Sequence, residues 1–340
     1  MQAKLKSEEN HMKQAVIGVD IGGTNTVIGV FDEASNGNGT SRLLTKRTIP
    51  TLKPDFPNKT SHPAIFFDAL TRAIEQLAEE AGYAGRISKV GAGVPGRVDP
   101  IQGMALGASN LGWVNVPFSD EMSRRLGGTP VYIDNDVRIY TLGEAIAGAG
   151  RGFANLIGLT LGTGIAASLF VDGRMVRGSS FYAGEIGHDT VAGEHSPCNC
   201  GKRGCLETIA SASGIARLAK EAVASGKDTC LRDLEQPITS YDVYQACLKG
   251  DSFAQQLFRD VGTTLAHKLM TAIFLLNPEV IIIGGGAASA GEFLLAPIRE
   301  TIEAQYPALL KRPQVCLGEL GDSAGLIGAA AFATRQSEFI

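Results

Sequence analysis

From Gln14 onward the chain alternates apolar runs with glycine-punctuated turns, after a polar opening, Met1 to Met12, that shows no periodicity. That opening predicts a disordered extension over residues 1–13, and Met12 is a second candidate start. AVIGVDIGGTNTVIGVFD, Ala15 to Asp32, predicts two strands joined by a glycine turn, with alternation strongest in the second. Ser35 to Pro63, rich in Asn, Gly, Thr, Lys and Pro, predicts an exposed loop with at most one strand, around Leu43–Ile49. Helical spacing of apolar residues predicts a helix over Ala64–Ala81. KVGAGVPG, from Lys89, predicts a strand and turn, and PVYIDND, from Pro130, a strand that runs into a helix over Val137–Ala147. The apolar stretch from Met270 to Gly286 is broken by Asn277, Pro278 and Glu279, so it predicts a helix end followed by a buried strand. An uninterrupted membrane span needs about 18–20 residues, more than either piece supplies. Alternation of this kind is α/β architecture.

The same pattern contains an internal repeat. Ile17-Gly-Val-Asp-Ile-Gly-Gly-Thr aligns without gaps to Ile157-Gly-Leu-Thr-Leu-Gly-Thr-Gly, and each is followed by an apolar strand ending in an acidic turn, Phe31-Asp32 and Val171-Asp172. Equivalent placement at the start of two α/β halves favours duplication over chance. Backbone N–H groups in glycine turns are unshielded by side chains and suit phosphate oxygens, so two such halves predict a nucleotide held between two hinged domains.

Composition narrows the chemistry. At 340 residues with 44% hydrophobic and 19% charged, the chain has room for two packed domains. A net charge of -4 provides no basic footprint, which argues against nucleic acid and anionic membranes as partners. The N-terminus shows no signal-peptide core, which predicts a cytoplasmic protein. In that compartment six cysteines read as thiols or metal ligands and not as disulfides.

Cys198, Cys200 and Cys205 place three thiolates within eight residues, with His188 ten residues upstream of the first and His195 three residues before it. Three thiolates and one imidazole make a closed tetrahedral zinc site with no position left for water, and either histidine supplies the fourth ligand. Cys230, Cys247 and Cys316 have no partners at ligand spacing and read as small buried residues. Ile133-Asp134-Asn135-Asp136 ends a strand and begins a helix, so Asp134 or Asp136 is placed either to cap that helix or to accept a proton.

DIGGTN (Asp20–Asn25), NLGW (Asn110–Trp113), IDND (Ile133–Asp136) with Gly143-Glu144, LGTGI (Leu161–Ile165), GEIGH (Gly184–His188), CNCGKRGCLE (Cys198–Glu207) and IIIGGG (Ile281–Gly286) occur in this order. Together they resemble the ROK family of bacterial sugar kinases and repressors, most closely its glucokinase branch, from about Gln14 to the end. The cysteine cluster behind GEIGH is the most specific element, since a lone DxGGT turn is shared with chaperone ATPases, actin and acetate kinases.

The resemblance implies a duplicated, ribonuclease H-like, actin/hexokinase-type two-domain fold with a nucleotide and sugar cleft between the domains. A smaller domain would span 14–133, joined by a C-terminal helix over 323–340, and a larger domain with the zinc knuckle would span 134–322. It implies ATP-dependent phosphorylation of a hexose, glucose first, with allose, mannose, fructose and N-acetylmannosamine as alternatives. Asp136 would be the general base, and Asn110, Asn135, Asp136, Glu185, His188 and Glu207 would contact the sugar. ATP and Mg²⁺ would lie at Asp20, Gly22, Gly23, Thr24, Gly162, Thr163, Gly164, Gly284, Gly285 and Gly286, with Asp20 acting through metal-bound water. His188, and not His195, would join Cys198, Cys200 and Cys205 on a structural Zn²⁺. A homodimer or homotetramer is implied as well. Two positions depart from the pattern: Ser109 stands where a proline usually precedes Asn110, and Ala166-Ala167 where glycines often follow GTGI. Family repressors carry a winged helix ahead of the kinase-like region, and the short segment before Ala15 leaves no room for one. A chaperone-type ATPase would need neither Asn135-Asp136 nor the cysteines.

Overall fold

A computed structural model describes residues 14–36, 40–52, 63–307 and 310–339, with the side chains of 33–36, 40 and 41 excepted. The predicted extension over 1–13 lies outside the described residues. Contacts divide the chain into two compact units, one running to Gly148 and resuming at Asp322, the other spanning Ala149–Gly321.

In the first unit, strands β1 (Ala15–Ile21), β2 (Asn25–Asn36), β3 (Thr40–Pro50), β4 (Ile87–Val94) and β8 (Val131–Asn135) form one sheet in the order β3-β2-β1-β4-β8. A small antiparallel sheet, β5 (Arg97–Asp99), β6 (Met104–Ala108) and β7 (Trp113–Val116), follows β4 in the chain. The helices are α1 (Ala64–Glu80), α2 (Phe118–Arg125), α3 (Asp136–Ala147), α9 (Ala324–Thr334) and α10 (Gln336–Phe339). The strand expected around Leu43–Ile49 is β3, longer than expected because the β2–β3 hairpin carries the pairing out to Asn36 and Thr40.

β1 reads as an unbroken apolar run because both of its faces are covered. Ala15, Ile17, Val19 and Ile21 share a core with Phe66, Phe67, Leu70 and Ile74 of α1, where Trp113 and Phe118 add edge-on aromatic packing. Val16 faces the other way, into a cluster with Leu326, Ala330 and Ala333 of α9. A helix that is apolar all round needs burial on all sides, which α9 obtains between the sheet and α3. Its approach is backbone to backbone. A Cβ at Gly328 would stand 1.8 Å from Ile139 O, and one at Gly91 would stand 1.9 Å from Ala329 O.

The predicted boundary at Asp134 consequently moves to Gly148. Helix α3 stays in the first unit because it packs on α9, and the C-terminal helix joins that unit as expected.

The second unit repeats the plan. Strands β9 (Leu156–Leu161), β10 (Ile165–Val171), β11 (Arg174–Val176), β12 (Val280–Gly284) and β13 (Gln314–Leu317) lie in the order β11-β10-β9-β12-β13, position for position the order of the first sheet. Each sheet opens with an antiparallel hairpin whose first strand then pairs in parallel with the fourth. Helices α4 (Glu207–Ala210), α5 (Ala212–Ala224), α6 (Ser240–Leu248), α7 (Ser252–Leu276) and α8 (Glu292–Gln305) cover this unit, with Ile157, Leu159 and Leu161 packed against Leu265, Leu269 and Leu294. Helix α7 ends at Asn277 in the left-handed conformation, the break predicted before buried β12. Among the described residues no helix is long and apolar enough to cross a membrane. Cys247 is buried as predicted, but Cys230 is exposed at a short 3-10 turn where its N–H donates to Asp251, and Cys316 is half-buried.

Candidate active site and metal centre

Asp134 and Asp136, indistinguishable as cap or base in the sequence, have separate environments. Asp134 is fully buried, and its Oδ1 pairs with Arg138 Nη1 at 3.0 Å and accepts the Asn135 N–H at 2.7 Å. Asp136, the first residue of α3, is half-buried. The cap expected on one of these aspartates belongs to Asn135, whose Oδ1 accepts from Val137 N at 3.0 Å and Arg138 N at 3.2 Å. Gly93 on β4 leaves room for the base, since a Cβ there would stand 3.2 Å from Asp136 Cα.

Asp20 closes β1 near this point. A Cβ at Gly325 would stand 2.3 Å from Asp20 Oδ2, so the glycine admits the carboxylate to the start of α9. Desolvation, then the charges of Asp136 and Asp322, raise its pKa to about 7. The adjoining turn is clasped from β3's far end: Thr51 Oγ1 donates to Gly22 O at 2.9 Å and meets Thr26 Oγ1 at 2.8 Å, and Thr51 N donates to Thr24 O. Asn110 is exposed, and its Nδ2 lies 3.9 Å from a Cβ built on Gly23.

In the second unit the turn Gly162–Gly164 is braced by Ala212 N donating to Gly162 O and by Ser213 Oγ donating to Thr163 O, both at 2.8 Å. The first glycine of each hairpin turn closes that turn with its own N–H, Gly22 to Asn25 O at 2.9 Å and Gly162 to Gly164 O at 3.0 Å. Gly285, at φ 85°, brings the end of β12 against Leu161, where a Cβ would stand 2.7 Å from backbone. The glycine turn Gly284–Gly286 and the Gly162–Gly164 turn therefore adjoin.

The GEIGH turn sets His188 between two carboxylates, Nε2 3.8 Å from Glu185 Oε2 and Nδ1 3.8 Å from Glu207 Oε1. Glu207 opens α4 directly after the cysteine loop, and its Oε2 comes within 2.8 Å of a Cβ built on Gly164. One polar cavity of about 130 Å³ is lined by Thr163, Cys198, Glu207 and Arg217. His188, Cys198, Cys200 and Cys205 bring their ligand atoms within 4.8 Å of one another. Cys198 Sγ lies 3.7 Å from His188 Nδ1, and Cys200 Sγ lies 3.6 Å from Cys205 Sγ. Zn–S bonds of about 2.3 Å at tetrahedral angles separate sulfurs by roughly 3.8 Å, so the donor set fits zinc. His195 is absent from the cluster; its backbone joins Glu194 and Arg203 instead.

The family model described as ROK family matches residues 16–336. The chain belongs to the ROK family. Within it, the glucokinase of Halalkalibacterium halodurans is 35% identical over 326 residues, 94% of this chain and 95% of that protein. The glucokinase of Thermotoga maritima is 34% identical over 329 residues, 94% of this chain and 97% of that one. Among solved structures, a ROK family glucokinase from Streptomyces griseus in complex with glucose and AMPPNP is 30% identical, covers 94% of this chain and 99% of its own, and gives a TM-score of 0.77.

Several residues that shape this ROK site were not foreseen. Thr26 and Thr51 hold the first glycine turn, and Gly96 presents its carbonyl to Asn135 Nδ2 at 2.9 Å. Arg217 reaches Thr208 O at 2.8 Å and Glu194 at 3.5 Å, which ties α5 to the cysteine loop and the helix that follows it. The signal available in the sequence was the KVGAGVPG turn, whose Gly96 has a φ of 84° that few other residues adopt.

Proposed function

We propose that this chain is an ATP-dependent hexose kinase that converts glucose to glucose 6-phosphate, with Asp136 as general base. The observation that carries the assignment of the base is the contrast at the end of β8. Asp134 is sealed in an ion pair, whereas Asp136 keeps solvent access at the N-terminus of α3, beside Asp20. The near-full-length similarity to glucokinases supports the reaction and glucose as the acceptor.

ATP supplies the phosphoryl group, and Mg²⁺ offsets its charge. Asp136 takes the proton of the attacking hydroxyl as its oxygen bonds to the γ-phosphorus, while the bond from that phosphorus to the β,γ-bridging oxygen breaks and ADP leaves. Asp20 faces Asp136 and Asp322, a concentration of negative charge that a hydrated cation would relieve, so it holds Mg²⁺ through water. Because Gly22 and Gly162 spend their N–H groups on turn closure, the backbone of Gly23, Thr24, Thr163 and Gly164 is what remains for phosphate oxygens. Gly284–Gly286, next to the second turn, receives the adenosine.

Asn110 in the first unit and Glu185, His188 and Glu207 in the second offer donors and acceptors for sugar hydroxyls. His188, Cys198, Cys200 and Cys205 would hold a structural Zn²⁺, with His188 Nδ1 facing Cys198 and Nε2, beside Glu185, left for the sugar. An ion held there would orient these groups and supply no chemistry to the transfer. A panel of glucose, allose, mannose, fructose and N-acetylmannosamine with ATP, read as ADP formed, tests the reading. Glucose should give the highest kcat/KM; ADP formation with none of them would remove the kinase assignment.

A further inference from the structure

The two glycine turns related by the internal repeat are gripped from outside by unrelated elements. In that repeat Gly22 corresponds to Gly162. Gly22 O accepts from Thr51 Oγ1, just past β3, at 2.9 Å, and Gly162 O accepts from Ala212 N, at the start of α5, at 2.8 Å. The next carbonyl of the second turn, Thr163 O, accepts from Ser213 Oγ at 2.8 Å. A trans peptide plane carries its C=O and N–H on opposite sides, so fixing the carbonyl of one residue aims the N–H of the next. Thr51 thereby aims the Gly23 N–H, Ala212 the Thr163 N–H and Ser213 the Gly164 N–H, each away from the element that grips it. These are three of the four N–H groups that remain once Gly22 and Gly162 have closed their turns.

We propose that Thr51 and Ser213 are positioning residues for ATP, their hydroxyls aiming the Gly23 and Gly164 N–H groups at its phosphates. A hydroxyl has a single proton, and each spends it on a turn carbonyl, so neither donates to a phosphate oxygen itself. Both aimed N–H groups belong to glycines, whose backbone is the freest to turn away when nothing holds it. A donor that holds the peptide plane beforehand spares the nucleotide that ordering cost. The grips are themselves anchored. Thr51 is buried and meets Thr26 Oγ1 at 2.8 Å. Beside Ser213, the N-cap Ser211 accepts from Gly214 N at 3.0 Å and donates to Glu207 O at 2.6 Å. The two halves thus reach one arrangement with a strand end in the first and a helix start in the second. This inference rests on the reading that both turns receive phosphates.

Ser213→Ala and Thr51→Val test it, with Ser213→Thr and Thr51→Ser as variants that keep the hydroxyl. The measurements are melting temperature, the Kd of Mg²⁺-AMPPNP by calorimetry, and the Ki of adenosine, which carries no phosphate, in competition with ATP. Each variant without the hydroxyl should bind AMPPNP roughly 3–10-fold more weakly, the scale of one hydrogen bond, while adenosine stays within about twofold. The variants that keep the hydroxyl should bind both as the wild type does. Adenosine and AMPPNP weakened alike would mark a merely structural role and overturn the proposal. So would equal losses in the variants with and without the hydroxyl. An unchanged AMPPNP Kd in Ser213→Ala or in Thr51→Val overturns it at that turn. If Thr51→Val does not fold, Ser213→Ala, at an exposed side chain, decides alone. Gly23→Val measured in parallel separates the two ideas. If it binds AMPPNP normally, the phosphate role of the first turn fails; if it loses binding while the Thr51 and Ser213 variants are normal, only the positioning role fails.

Discussion

Glu207 Oε1 lies 2.7 Å from Cys198 Sγ, whose thiol proton would leave if the sulfur bound a metal ion. The last carboxylate proposed for the sugar thus directly follows the loop that carries the proposed metal ligands, and that loop is bounded on its other side by Glu185 and His188. Losing the ion should free both ends of the sugar site. Purified protein should contain about one zinc per chain by elemental analysis, and Cys200→Ser should lose the metal and raise the glucose KM together. Its thermal stability should drop too, because a ligand bound only by the folded state stabilises that state. His195→Ala should keep metal and affinity. A wild-type protein that is fully active without metal would end the zinc proposal.

The two aspartates of β8 and α3 should fail in different ways. Asp136→Asn removes the proton acceptor and should lower kcat by about 10²–10⁴ with little change in melting temperature. Asp134→Asn removes the buried carboxylate charge that pairs with buried Arg138, and breaking a buried pair costs about 3–5 kcal/mol. Asp134→Asn should therefore be recognised by thermal melting and Asp136→Asn by turnover. A stable, inactive Asp134→Asn enzyme beside an active Asp136→Asn enzyme would exchange the roles.

What could be read from the sequence was local. Both glycine hairpins, the helix after Asp136 and the cysteine–histidine cluster are carried by residues close together in the chain, so periodicity and spacing expose them. The Thr26–Thr51 clasp, the grip of Asn135 on Gly96 and the joining of α3 to α9 depend on partners 25 residues or more apart. No short-range pattern reports these contacts. The boundary at Asp134 failed for that reason: the sequence of α3 looks like the start of a new segment, but Gly143 and Gly328 bind it to a helix at the far end of the chain. The cap was misplaced because Asp134, Asn135 and Asp136 are all good caps, and only the turn of the backbone decides which side chain points back at the helix.

The glycines divide by what their missing side chains would meet. Among the described residues a Cβ at Gly23 would approach only Asn110 Nδ2, at 3.9 Å, so Gly23→Val should fold with an almost unchanged melting temperature. Its methyl groups would occupy the approach of phosphate oxygens, and ATP affinity should fall at least tenfold by titration. Gly328→Ala should do the opposite. In an exposed helix interior that change stabilises by about 1 kcal/mol. Here the methyl group would meet Ile139 O at 1.8 Å, and overpacking should cost about 1–3 kcal/mol or more. Loss of ATP affinity confined to Gly328→Ala would contradict the phosphate role of the first turn.

Asp20 predicts a dependence of stability on pH. Its pKa is raised from 3.8 to about 7, so between those values the folded protein binds more protons at this carboxyl than the unfolded chain does. Stability falls with rising pH wherever the folded state holds the extra proton. The contribution of Asp20 is thus least unfavourable near pH 4, is lost progressively as pH rises toward 7, and is level above that. Asp20→Asn removes the titrating group while keeping its shape. Without nucleotide or Mg²⁺, this variant should melt above the wild type by a smaller margin at pH 5 and a larger one at pH 8, the gap widening up to about pH 7. The same variant should bind Mg²⁺-ATP less tightly than the wild type, because the carboxylate that crowding disfavours is the one a hydrated cation would use. A melting difference that is flat from pH 5 to pH 8 would mean that Asp20 is ionised in the free protein and that the repulsion from Asp136 and Asp322 is relieved by other means.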